Sequence, residues 1–157
     1  MCKLKTLKVI FSNSKKPLSP IIRAVTWSDF SHVGIISPSG GFVLESTLSL
    51  GGVKLATLEE FKARASEWEI VEFQVNDDQS IWDAACTQIG KKYDWTALVG
   101  IPFHRDWSEP DSWFCSELVA WAFEQGGTPL FTRKNISRVT PGHLYMVHPT
   151  RVYSIMN

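Results

Sequence analysis

The apolar run Val9-Ile10-Phe11 after Lys8 predicts a short strand over Lys8–Phe11. A polar turn follows, and after Pro17 and Pro20 the residues Ile21, Ile22 and Val25 fall at helical spacing. The clearest β signal comes next. Residues 32–37 (HVGIIS) and 42–47 (FVLEST) flank Pro38-Ser39-Gly40-Gly41, which predicts a hairpin with a four-residue loop. With Ser37 opposite Phe42, His32 faces Thr47 and Glu45 lies one diagonal step from His32 on the same face. Thr57 with Glu60 forms a capping box that opens a helix carrying Leu58, Phe61 and Ala65 on one side, and Trp68–Val75 alternates as a strand.

Further along, Ser80 with Asp83 predicts a helix start, with Trp82, Ala85, Cys86 and Ile89 sharing an apolar face and Gly90 ending the element. Residues 100–112 read as loop. A strong helix is expected from about Trp113 to Gln125, capped by Asp111 or Ser112 and stopped by Gly126-Gly127. A Pro141-Gly142 turn then precedes two short strands, Leu144–Val147 and Val152–Ile155.

Composition narrows the class. At 157 residues and 17.7 kDa, with 44% hydrophobic and 20% charged residues, the chain reads as one globular domain spanning 1–157. Sixteen basic residues balance sixteen acidic ones, which argues against a nucleic-acid partner. The charge is unevenly spread, however: every acid lies between Asp29 and Glu124, and the basic flanks are expected to favour an anionic partner or substrate surface. No apolar run approaches the ~18 residues of a stable membrane span. The run Val9-Ile10-Phe11 is far short of a signal-peptide core of ~7–15 residues, so a cytoplasmic location is expected. Three cysteines, Cys2, Cys86 and Cys115, show no CxxC spacing and suggest a reducing compartment without disulfides.

Of these, Cys115 sits where a thiol becomes a nucleophile. In the first turn of a helix, unpaired N–H groups and the helix dipole favour thiolate over thiol, and the same N–H groups can hold an oxyanion. Yet Cys115, Leu118, Val119 and Ala122 also follow the spacing of a packed face, where a free cysteine is a core residue. Cys86 reads as packing and Cys2 as a terminal bystander. Among the histidines, His32 is a candidate base with Glu45 as its carboxylate orienter; separately, the pair also fits a hydrogen-bonded core histidine and a solvated glutamate. Burying the face they share against the Cys115 helix would leave the two with only each other as partners, whereas a one-residue bulge would move Glu45 to the opposite face. His104, His143 and His148 read as surface residues. A zinc site from His32, Glu45 and Cys115 fits in ligand type but lacks a short-range ligand pair.

Taken in order, SHVGII (31–36), VLES (43–46), GKKYD (90–94) and FCSELVAWAF (114–123) resemble the circularly permuted, YiiX/YaeF-like branch of the NlpC/P60 papain-like superfamily. The resemblance runs from about Leu7 to Pro141-Gly142-His143-Leu144. It implies an α+β papain-like fold, with an antiparallel sheet or small barrel packed against the helix that bears the nucleophile. It also implies Cys115 as nucleophile, His32 as base and Glu45 as orienter. Tyr93 would line the site as an oxyanion donor or substrate contact, unless it is a packing tyrosine, and Ser116 would stand on the same oxyanion side. Two departures touch the rims: KTLKV stands where the family often has Gly-Asp, and PGHL where it has PGDL. The implied activity is hydrolysis of amide bonds, in substrates such as cell-wall-type peptides, through an acyl-enzyme and without cofactor or metal. The substrate would be a small peptide or an acyl compound. Lipid or thioester acyl chemistry of the lecithin retinol acyltransferase-like type is an alternative. So is a catalytically silent binding domain, against which the intact Cys115, His32 and Glu45 count.

Overall fold

Alternation along the strands divides the protein into two unequal cores. The computed structural model describes residues 4–14, 29–94, 112–131, 139–147 and 152–155. The helix expected around Ile21–Val25, most of the 100–112 loop, Cys2, His104 and His148 lie outside these residues. In chain order the elements are β1 (Lys5–Ser14), β2 (His32–Ile36), β3 (Phe42–Thr47), β4 (Gly52–Thr57), α1 (Leu58–Arg64), β5 (Ala65–Val75) and α2 (Asp78–Cys86). There follow β6 (Lys92–Tyr93), β7 (Ser112–Trp113), α3 (Cys115–Gln125), α4 (Pro141–Met146) and β8 (Val152–Ile155). Six strands form one antiparallel sheet in the order β4-β3-β2-β1-β5-β8, and β6 pairs with β7 in a separate parallel ladder.

On one face, Leu7, Val9 and Phe11 of β1, Val33 and Ile35 of β2, Leu44 of β3 and Val71 and Phe73 of β5 meet the apolar side of α3. Phe73 and Phe123 close this core edge to face at 5.2 Å. On the other face, Ile10, Ile36 and Val43 meet Phe61, Ala65 and Trp68. This smaller core exists because α1 joins edge strand β4 to β5, so the connection must cross β3, β2 and β1.

The hairpin register is the expected one, with Gly34 opposite Glu45, Ile35 opposite Leu44 and Ile36 opposite Val43. The capping box is also present: Thr57 Oγ1 accepts the Glu60 N–H at 3.2 Å, and Glu60 Oε2 accepts the Thr57 N–H at 2.8 Å.

Four expectations are corrected. The helix opened by that box ends at Arg64, and Ala65 already begins β5. Helix α2 begins at Asp78, capped at Asp77, and buries Ile81 and Ala85 while Ile89 is exposed in the following turn. Its phase follows from Gly126, where a Cβ would lie 2.2 Å from Ile81 Cγ1, so that only glycine lets the two elements approach. Helix α3 starts at Cys115 with Phe114 as its cap, because Ser112 and Trp113 are drawn into pairing with Lys92 and Tyr93. Residues from Leu144 onward continue a helix, not a strand: Pro141 fixes its first turn, and Thr140 Oγ1 accepts the His143 N–H at 3.3 Å.

Gly34 is the position where hairpin and site meet, since a Cβ there would lie 2.6 Å from Val43 Cγ1 and 3.5 Å from Glu45 Cβ. Gly34→Ala is expected to lower stability by about 1–3 kcal/mol in urea unfolding, the usual cost of overpacking. An unchanged midpoint would show that β3 yields without strain.

Candidate active site

Glu45 is 1% exposed on the α1 face of β3, and a buried carboxylate must find compensation. Its two oxygens are divided between two partners. Oε2 lies 2.6 Å from His32 Nε2, and Oε1 accepts from the Arg64 guanidinium of α1. Phe61, one turn before Arg64, stacks against the imidazole with centroids 5.5 Å apart and an 18° tilt, while the Arg64 guanidinium lies 5.7 Å over the same phenyl ring. The shared His32/Glu45 face therefore packs on α1 and not on the Cys115 helix, and the pair has more than itself for company.

Cys115 approaches from the opposite side of the sheet. It is the first residue of α3, whose apolar side packs on β2, and its thiol lies close enough to the His32 ring to favour the imidazolium. Leu118, Val119 and Ala122 continue the packed face, so Cys115 combines the two roles that its spacing left open: 1% exposed in the core, yet in contact with an imidazole.

The segment before Cys115 is held by its backbone. The Trp113 carbonyl accepts from the Asp94 N–H at 3.1 Å and from the Ser46 hydroxyl at 2.6 Å. Phe114 offers no side-chain acceptor to the first turn of α3, while the Glu117 carboxylate accepts the Phe114 N–H at 3.4 Å. Ser116 is buried and donates its hydroxyl to the Val139 carbonyl at 2.5 Å. Tyr93, placed by the β6/β7 ladder, lies near Cys115, with its ring 6.0 Å from Phe114.

Electrostatics follow from burial and these contacts. For His32, burial opposes the charged form, but hydrogen bonds with Cys115 and Glu45 and their charges outweigh it and push the imidazolium up to about 10. For Glu45, burial disfavours ionisation, but His32 and Arg64 hold the carboxyl below its usual range. Burial, then the field of Cys115, Asp94 and Glu117, raises the Tyr93 hydroxyl, which stays a donor.

The structure thus gathers Cys115, His32, Glu45 and Tyr93 and gives the Ser116 side chain to another partner. His143 is exposed and caps α4 through Nδ1, which accepts the Thr140 N–H at 3.1 Å. Sequence reasoning missed Arg64, Phe61 and Ser46. Only the Phe61/Arg64 spacing of one helical turn hinted that the two could act together.

Comparison with known proteins supports this architecture. A family profile described as permuted papain-like amidase enzyme, YaeF/YiiX, C92 family, matches residues 3–152. The crystal structure of the metalloprotein YiiX from Escherichia coli O157:H7 superposes with a TM-score of 0.67 at 21% identity, covering 96% of each chain. No curated protein matches.

The raised His32 implies a pH signature. Because its folded value of about 10 exceeds the ordinary 6.5, its contribution to stability is complete below pH 6.5 and is lost as pH rises through about 10. Urea midpoints are expected to fall across that window, and His32→Gln is expected to flatten the decline. An equal slope in both proteins would contradict the assignment.

Proposed function

The chain belongs to the permuted papain-like amidase family, and on that premise we propose that it hydrolyses amide bonds of small peptides through Cys115, His32 and Glu45. The observation that carries this reading is the pair of partners on one imidazole, a thiol on one side and a buried carboxylate on the other. Cys115 Sγ, its proton held on His32, attacks the carbonyl carbon, and the carbonyl π electrons move onto oxygen. Backbone N–H groups of Cys115 and Ser116 and the Tyr93 hydroxyl donate to that oxyanion. When the intermediate collapses, the C–N bond breaks and His32 passes its proton to the departing amine, leaving a thioester on Cys115. Water then attacks the thioester, its proton going to His32, and the acid departs as Sγ is restored. Throughout, Glu45 fixes the ring and offsets the charge of the imidazolium.

The YiiX neighbour is described as a metalloprotein. In this chain, among the described residues, no three His, Cys, Asp or Glu side chains come together as a metal site. Glu45 and His32 Nε2 are moreover committed to one another and to Arg64. The donor set does not fit a metal here, and no step is assigned to one. No described helix is long and apolar enough to cross a membrane.

Peptide amides with a fluorogenic leaving amine, assayed beside acyl thioesters, test the reading. Cys115→Ala is expected to abolish both turnover and the acyl adduct seen by mass spectrometry while the fold is retained; turnover surviving in that variant would overturn the nucleophile. Hydrolysis confined to thioesters would overturn the amide specificity. Tyr93→Phe is expected to lower kcat roughly 100-fold with little change in KM, as for loss of one oxyanion donor.

A further inference from the structure

We infer that Arg64 is a positioning residue of this site, acting on His32 through Glu45. The inference rests on the thiol–imidazole reading above and extends it to a helix the family motifs do not include. Four side chains form a closed circuit: His32 bonds Glu45, Glu45 bonds Arg64, Arg64 lies over Phe61, and Phe61 stacks on His32. Each of the two polar contacts uses a different carboxylate oxygen, so Arg64 fixes the plane of the carboxylate and with it the direction of the acceptor that His32 meets. The guanidinium is itself oriented, because Nε donates to the Glu60 carbonyl at 3.2 Å. Glu60 is in turn occupied in the capping box, so the cation has a defined seat at the last turn of α1.

Charge makes the arrangement more than a spacer. The charged or titratable groups acting on His32 are Cys115 from α3 and Glu45 from β3, and those acting on Glu45 are His32 and Arg64 from α1. Lys54, the ladder partner of Glu45 on β4, is exposed, and Glu60 acts on Arg64 from its own helix. Without Arg64, the buried carboxylate would keep only the imidazolium as a counter-charge and would take up a proton at higher pH. A protonated Glu45 would no longer stabilise the imidazolium.

The test is the pH dependence of Cys115 alkylation by iodoacetamide in the full chain, with peptide mass spectrometry separating Cys115 from Cys2 and Cys86. Wild type is expected to label below the pH of an ordinary thiol. In Arg64→Met and Arg64→Gln the acid limb is expected to move up by about one pH unit or more. The maximal rate is expected to fall about 10- to 100-fold as the ring loses its orientation. Arg64→Lys, which keeps the cation, is expected to return the limb to within a few tenths of wild type with the rate only partly recovered. A uniform loss at every pH, or profiles that superimpose on wild type, would overturn the role of Arg64 while leaving the thiol–imidazole pair intact. Ordinary thiol behaviour in wild type itself would overturn both. If neither charge-removing variant folds, Arg64→Lys decides alone: a limb displaced upward by a few tenths together with a lowered rate supports the inference, and an unmoved limb overturns it.

Discussion

A carboxylate with almost no exposure is the constraint to which the rest of this structure answers. Glu45 cannot be buried in its charged form unless cations and donors are brought to it, and the fold brings them from two sides. One cation comes from the neighbouring strand at the diagonal spacing that antiparallel pairing provides. The other comes from α1, which reaches the carboxylate only because its connection crosses three strands of the sheet. The smaller hydrophobic core of Ile10, Ile36, Val43, Phe61, Ala65 and Trp68 is the packing that holds this crossing down. Its burial dries the Glu45 end of both ion pairs, while the Arg64 and His32 side chains keep part of their surface in solvent.

The two faces of the sheet consequently divide the work. The larger core positions α3 and therefore Cys115, and the smaller one positions the groups that act on His32. Strand β3 serves both at once. Glu45 points to α1, while the next residue, Ser46, holds the Trp113 carbonyl on the side of the nucleophile. Both sides of the site are thus referenced to two consecutive residues of one strand.

What was legible in the sequence was what local chemistry determines. The Pro38-Ser39-Gly40-Gly41 loop closes with the Ser37 N–H donating to the Phe42 carbonyl at 2.8 Å and Gly40 at φ +86, so the hairpin register and the His32/Glu45 diagonal followed from the turn. The Thr57/Glu60 box likewise announced α1. The face on which α1 would lie was not legible, because it depends on a crossover between strands far apart in the sheet. Arg64 therefore carried no signal as a site residue, and the Cys115 helix was the one considered against the His32/Glu45 face. The same limit explains α3, whose expected first residues were claimed by a ladder with Lys92 and Tyr93, twenty residues earlier in the chain. Between Leu144 and Val147, four apolar or aromatic residues were too few for periodicity to separate helix from strand.

The alternation of Glu45 and Ser46 also bears on how the chain avoids folding incorrectly. Sliding β3 by one residue would exchange the faces of all its side chains. The carboxylate would then enter the large apolar core, Arg64 and His32 would face Leu44 or Ser46 in its place, and Ser46 would leave the Trp113 carbonyl. Such a slip would cost several buried polar contacts at once, in addition to the mismatch of Val43 and Leu44. The arrangement suited to chemistry thereby acts as an energetic lock on the hairpin, penalising the neighbouring alignments that a short, glycine-containing strand pair would otherwise visit.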